Sequence, residues 1–322
     1  MTPPSIFLTG ASGFIGRTLL QRLIARGCSV TAALRPDAKP LDSSVAVFGF
    51  ERFDDHRDWV AGLTGHDVVI HCAARVHVMK DAQRDALAAF RRVNVEGTLA
   101  LARHAAAAGV KRFIFLSSIK VNGEGTERGH PYCADDVPAP GDAYGISKLE
   151  AEQGLHEVGR ETGMEVVIIR PVLVYGPGVK ANFLSMMRWV ERGVPLPFGA
   201  IDNRRSLVAI DNLVDLIEVC MHHPRAANQT FLVSDGEDVS TCDLLRNIAR
   251  ALNRPSRLLP IPQSLLRMGA GLIGKRALAQ RLCGSLQVDI EKTRSVLGWR
   301  PPVGIDTALK ATARHYQEDC RK

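Results

Sequence analysis

The chain has 322 residues, 46% of them hydrophobic, and a formal net charge of +7. That length and apolar content suit one large α/β domain plus a smaller lobe, and they exclude a disordered chain. Lys and Arg are spread along the sequence without long runs, which argues for a mildly basic surface and an anionic small ligand, and against a nucleic-acid tract.

The seven cysteines show no CxxC and no Cys/His spacing suited to a metal. They read as reduced thiols of a cytoplasmic protein with no metal site. No signal peptide is expected ahead of Ser5-Ile6-Phe7-Leu8. The apolar segment 265–273 is interrupted by Arg267 and glycines and is too short to span a bilayer, which needs about 20 apolar residues. It reads as a packed lobe helix in preference to a surface amphipathic one.

In chain order, Ser5-Ile6-Phe7-Leu8-Thr9 is a short apolar run that reads as a buried parallel strand. It feeds Gly10-Ala11-Ser12-Gly13-Phe14-Ile15-Gly16, and a helix with Leu19, Leu20, Leu23 and Ile24 on one face follows. Strand, glycine turn and helix are the context a dinucleotide-binding motif requires. Gly10 permits the tight turn, Gly13 lets the backbone approach a pyrophosphate at the helix N-terminus, and Gly16 lets the helix pack on the strand. The second strand, 28–34, ends in Leu34-Arg35. An NAD site usually has an acid there for the ribose 2′-hydroxyl, whereas a guanidinium suits a 2′-phosphate, so Arg35 favours NADP(H), with NAD(H) the alternative.

A third strand is expected at 45–48 and a short helix at 58–63. A fourth strand, 67–74, ends in His71-Cys72-Ala73-Ala74; its small residues let a cofactor lie close, and His71 reads as a packed strand histidine. One long Ala-rich helix, about 83–108, carries Asn94, Gly97 and Thr98. The strand 111–116 ends in Ser117-Ser118, outside the carboxyl edge of a parallel sheet where ligands bind. A serine there suits a hydrogen bond to a substrate oxygen, or a cap on the next turn.

After a long Gly/Pro-rich loop, 121–142, comes a helix to about 162 that carries Tyr144 and Lys148 one turn apart on one face. A neighbouring ammonium would favour the phenolate and make an acid/base that works near neutrality. A strand at 164–170 leads into Pro171-Val172-Leu173-Val174-Tyr175-Gly176-Pro177-Gly178, where prolines and glycines argue against helix or strand and mark the crossover to a second lobe. A helix to 192, a segment 204–211, a helix to 220, a last strand at 230–233, a helix at 241–252 and a basic, mixed C-terminal segment complete the pattern.

Thr9 to Gly16, His71-Cys72-Ala73-Ala74, Asn94 with Gly97-Thr98, Ser117-Ser118, Tyr144-Gly145-Ile146-Ser147-Lys148, Arg170-Pro171 with Val174-Tyr175-Gly176-Pro177, and Leu297-Gly298-Trp299 together resemble the extended short-chain dehydrogenases/reductases, the nucleotide-sugar epimerase/dehydratase group. The resemblance implies an α/β fold: a Rossmann-type doubly wound parallel sheet with a smaller C-terminal substrate lobe. It implies a cofactor domain over 1–175, with 206–235 returning to it, and a nucleotide-sugar lobe over 176–205 and 236–322.

By motif position Ser118 polarises the sugar oxygen, Tyr144 is the general acid/base, and Lys148 holds the nicotinamide ribose and tunes Tyr144. The cofactor set is Gly10, Ser12, Gly13, Phe14, Ile15, Gly16, Arg35, Ala73, Ala74, Asn94, Ser117, Tyr144, Lys148 and Pro171. Asn182 and Arg205 fall where relatives grip the nucleotide diphosphate, with Arg281 as a substitute for a second arginine. Relatives of this kind are commonly homodimers joined through the helices that carry Asn94 and Lys148.

Ile119-Lys120 stands where the sugar 4,6-dehydratases place an Asp-Glu pair, which argues against dehydration. The acid that commonly holds adenine after the third strand falls one place late, at Glu51. The run 115–124 is similar to enzymes of bacterial surface-polysaccharide (O-antigen) loci. The expected activity is redox chemistry at C4 of a UDP-linked N-acetylhexosamine: reduction of a 4-keto-6-deoxy sugar or, alternatively, NAD-dependent 4-epimerisation. A non-catalytic NADP(H) sensor or scaffold is the alternative from another class, and a steroid- or flavonoid-type reductase a further one.

Overall fold

Seven apolar segments pair side by side in the computed structural model, which describes residues 3–38, 41, 45–53, 58–76, 86–272 and 282–320. They are β1 (Ser5–Thr9), β2 (Ser29–Leu34), β3 (Ala46–Gly49), β4 (Val68–His71), β5 (Arg112–Leu116), β6 (Glu165–Pro171) and β9 (Gln229–Val233). The order is β3-β2-β1-β4-β5-β6-β9, and every pair is parallel. The strand order reverses beside β1, which opens a crevice beyond its carboxyl end. A doubly wound α/β sheet is therefore what the chain builds.

Near-continuous apolar runs are what a sheet buried on both faces demands. Ile6 and Leu8 enter one core with α1 (Phe14–Ala25) and α7 (Ile210–His222). Phe7, Val69, Phe113 and Phe115 enter the opposite core with α2 (Trp59–Leu63), α4 (Gly97–Ala107) and α5 (Ala143–Thr162). A third core, around Tyr175, Phe183 and Leu309, gathers α6 (Ala181–Glu191), α8 (Thr241–Ala251) and the C-terminal helix α11 (Ile305–Asp319). Trp299, just after α10 (Glu291–Leu297), donates its indole N–H to Asp215 of α7 at 2.8 Å, and Asp215 also receives Arg22 of α1 at 2.7 Å.

Three expectations are corrected. The segment 171–178 does contain a strand: β7 (Leu173–Tyr175) pairs in parallel with β8 (Arg205–Ala209) as the edge of a second, three-stranded sheet, with β10 (Asp238–Val239) on its other side. Pro171 and Pro177 lie outside β7, so neither removes a ladder donor from it. The short β10 also means that β9 is the last strand of the large sheet only. The third correction concerns the long Ala-rich helix. It divides into α3 (Ala86–Arg91), a wide π-turn at Arg92–Glu96, and α4, while positions 83–85 lie outside the described residues. Among the described residues no helix is long and apolar enough to cross a membrane.

Candidate active site

Gly10 adopts φ +74°, and a Cβ on it would stand 2.7 Å from the backbone nitrogen of Ala73. A Cβ on Gly16 would stand 2.2 Å from the carbonyl oxygen of Gly10, so the first turn of α1 lies directly on the end of β1. Gly13 closes the turn by donating to the Gly10 carbonyl at 2.9 Å and begins α1 without a side-chain cap or an acid in the first turn. No acid of the helix's own first turn neutralises its positive pole, which suits a diphosphate.

Ser12 is exposed, and Phe14 and Ile15 are half-buried at the head of α1. Ala73 and Ala74 are half-buried just past β4; Ala73 donates its N–H to the hydroxyl of Thr9 at 3.3 Å. Arg35 follows β2, its side chain 62% exposed and 3.5 Å from Asp37. These residues share the carboxyl edge of β1, β2 and β4, and their cradle fits a dinucleotide.

Asn94, 1% exposed, sits in the π-turn, and its amide turns inward. It receives the Arg75 N–H at 2.8 Å, donates to the Arg75 carbonyl at 3.1 Å, and donates to Ser147 Oγ at 3.0 Å. Ser147 in turn donates to the carbonyl of Tyr144 at 2.8 Å. Asn94 thus ties the loop after β4 to the first turns of α5. His71 has both ring nitrogens against threonine hydroxyls, Thr9 at 2.7 Å and Thr98 at 2.9 Å. It is a packed strand histidine, and burial brings its pKa down to about 3.

Asp142 caps α5 by accepting the Gly145 N–H at 2.8 Å. A Cβ on Gly145 would stand 2.7 Å from the Lys120 carbonyl, so the glycine lets the first turn of α5 close on the segment after Ser118. Ser118 follows β5 and caps the short 3-10 turn at Ile119–Val121; its Oγ accepts the Lys120 N–H at 3.3 Å and keeps its own proton to donate elsewhere. Ile119 is buried, and Lys120 pairs with Glu124 at 3.0 Å and with Asp142. Neither position supplies a free carboxylate, which agrees with the argument against dehydration.

Lys148 is 1% exposed, donates to the Leu116 carbonyl at 2.7 Å and lies 3.8 Å from the centre of the Phe115 ring. Burial brings its pKa down to about 7, against an opposing pull from Glu152. Tyr144 packs edge-on against Phe90 at 6.0 Å. Burial first, and then the carboxylate of Asp142, pushes its phenol up to about 12. A neighbouring ammonium would favour the phenolate, whereas burial and the Asp142 carboxylate both act in the opposite direction on this phenol.

Ser117 is buried and donates its hydroxyl to Glu152 of α5. Glu152 is paired with Arg170 of β6, which donates to it through Nε at 3.0 Å and reaches Asn122 Oδ1 at 3.0 Å. Glu152 escaped the sequence reading, and Asn122, Ser147 and Gly145 stood in named segments without a role; only the placement of Glu152 one turn beyond Lys148, on the same face, signals the first. Pro171 is the buried last residue of β6. In the second lobe, Asn182 is exposed at the head of α6, next to Ala181 at φ +52°, and Arg205 opens β8 and donates to the Gly284 carbonyl at 3.0 Å. Arg281 lies outside the described residues.

The sequence profile of the NAD dependent epimerase/dehydratase family matches residues 6–234. The chain belongs to that family. Membership brings a nicotinamide cofactor and an enzyme of the extended short-chain dehydrogenase/reductase type. Across 98% of this chain and 96% of its own, a Vibrio cholerae UDP-glucose 4-epimerase is 49% identical. A GDP-6-deoxy-D-mannose reductase of Pseudomonas aeruginosa is 28% identical over 98% of both chains. The solved structure of a Thermotoga maritima UDP-glucose 4-epimerase with UDP-glucose superposes with a TM-score of 0.77 at 23% identity, covering 98% of this chain and 99% of that one.

Proposed function

We propose that the protein is an NADP(H)-dependent oxidoreductase acting at C4 of a UDP-linked sugar, working as a reductase of a UDP-4-keto-6-deoxy-N-acetylhexosamine in surface-polysaccharide precursor synthesis. The observation that carries the choice of direction is Arg35, exposed beyond β2 where an NAD site would hold an acid. The name of the Vibrio cholerae relative supports a UDP-sugar and chemistry at C4. The name of the Pseudomonas relative supports reduction within the same family.

The glycine turn, Ala73, Ala74 and Lys148 would hold a nicotinamide nucleotide, which would supply hydride chemistry to the sugar carbon. The chain's own residues handle position and protons. Ser118, its Oγ already accepting from Lys120, offers a hydrogen bond from its hydroxyl to the ketone oxygen and keeps its proton. Tyr144, protonated at neutral pH, gives up its phenol proton, the single proton that turns the oxygen into a hydroxyl. Lys148, fixed by Leu116 and Phe115, presents an amine to the ribose hydroxyls. In the second lobe Asn182 and Arg205 grip the diphosphate.

A second reading, NAD-dependent UDP-sugar 4-epimerase, is favoured by the 49% identity to the Vibrio cholerae protein of that name. An epimerase must keep its cofactor through each cycle, whereas a reductase exchanges it. Denaturing the purified protein and analysing the released nucleotide separates the two. The proposal expects no stoichiometric NAD, and tightly retained NAD would contradict it.

A further inference from the structure

Residues 244–288 include eight basic side chains and no Asp or Glu. Those eight exceed the net charge of the whole chain, +7, so the remainder is almost neutral. The charge is therefore local although it forms no run.

Within this stretch lies α9 (Gln263–Leu272), preceded by Pro260 and Pro262. Its sequence holds Leu265, Leu266, Met268 and Leu272, yet none of its described side chains enters any of the three cores, which corrects the expectation of a packed lobe helix at 265–273: the segment lies at the surface because its described apolar side chains meet no core. Leu265 is 50% and Met268 61% exposed, and residues three apart on a helix share a face. Leu259, 49% exposed, lies just ahead of the helix, and Arg254 and Arg257 are exposed beside it. A helix of this length is marginal in water unless its apolar face is packed.

We propose that α9 docks the protein on an anionic phospholipid surface. An apolar stripe at helical spacing within a basic, acid-free stretch is the pattern of a helix that lies in the headgroup region, with leucine and methionine inserted and arginine against lipid phosphate. The helix is too short to span, so it lies in the plane of the interface. Arg246 and Arg250 on α8 are answered by Asp243 and Asp306, so the excess lies from Arg254 onward. A second copy of this chain would bring the same basic stretch with it, and like charge disfavours self-association through α9. Ser118, Tyr144 and Lys148 belong to other elements, and docking through α9 does not use them.

The test is sedimentation of the full chain with vesicles of equal phosphatidylglycerol and phosphatidylcholine, compared with phosphatidylcholine alone. The proposal expects binding to the anionic vesicles only, reversed by raised salt, and weakened about tenfold or more in Leu265→Asp with Met268→Asp. Arg254→Glu with Arg257→Glu should weaken it too. Val137→Asp, at a residue 88% exposed elsewhere, should bind as the parent does. Circular dichroism and turnover of soluble substrate should match the parent in every variant, which separates lost docking from lost folding or lost catalysis. No binding to anionic vesicles, equal binding by the α9 variant, or an α9-dependent dimer without vesicle binding would overturn the proposal.

Discussion

Lys148 is enclosed by an aromatic ring and a carbonyl, and its protonation is coupled to folding. In the unfolded chain it takes up a proton below about pH 10.4, whereas in the folded protein it does so only below about 7. Between those values the unfolded chain binds the extra proton, so rising pH favours the folded state by at most about 1.4 kcal/mol per pH unit from this residue. Urea midpoints between roughly pH 7.5 and 9.5, inside that window, should rise in the parent relative to Lys148→Met; parallel profiles would show that the buried amine is not what titrates. Arg35 is the other residue with a single-position consequence. Arg35→Asp should move the ratio of kcat/KM values from NADPH toward NADH by about tenfold or more, the worth of one charge-assisted contact. An unchanged ratio would remove Arg35 from the cofactor site. Tyr144, Lys148 and the glycines were legible because their chemistry depends on short local spacing. The protonated state of Tyr144 was not, since burial is set by Phe90 and other residues far away in sequence.

At the scale of elements, α5 is held by contacts that its own periodicity does not announce. Glu152, 2% exposed, is bonded to Arg170, and this pair joins α5 to β6 while Ser117 and Asn122 join it to the end of β5 and the turn that follows. Removing one partner leaves an uncompensated buried charge, so Glu152→Ala should cost about 3–5 kcal/mol in denaturant unfolding. A loss under about 1 kcal/mol would mean that the pair is as replaceable as a surface bridge. The π-turn at Arg92–Glu96 is a second device of this kind: it widens an apparently continuous helix and turns Asn94 toward Arg75 and Ser147. The Ala-rich sequence gave no warning of that break because the partners of Asn94 come from two other elements. The strand β7 was hidden for a related reason, because its three residues are stabilised by a neighbour, β8, about thirty residues further along the chain.

For the whole molecule, the large sheet was readable because strands buried on both faces are unbroken apolar runs, and a glycine turn marks the carboxyl end of β1. The second lobe was less readable: its core draws on α6, α8 and α11, which lie far apart in sequence. Asn182 and Arg205 are accordingly read from motif position alone, and the sugar assigned to them is part of the proposal. The most direct measurement is turnover of a UDP-4-keto-6-deoxy-N-acetylhexosamine with NADPH, followed by cofactor absorbance and by the product's C4 configuration. The account predicts one NADPH oxidised for each sugar reduced, and a fall of about 10²–10⁴ in kcat for Tyr144→Phe. Interconversion of C4 epimers of a UDP-hexose with no net cofactor consumption, or activity untouched in Tyr144→Phe, would contradict it.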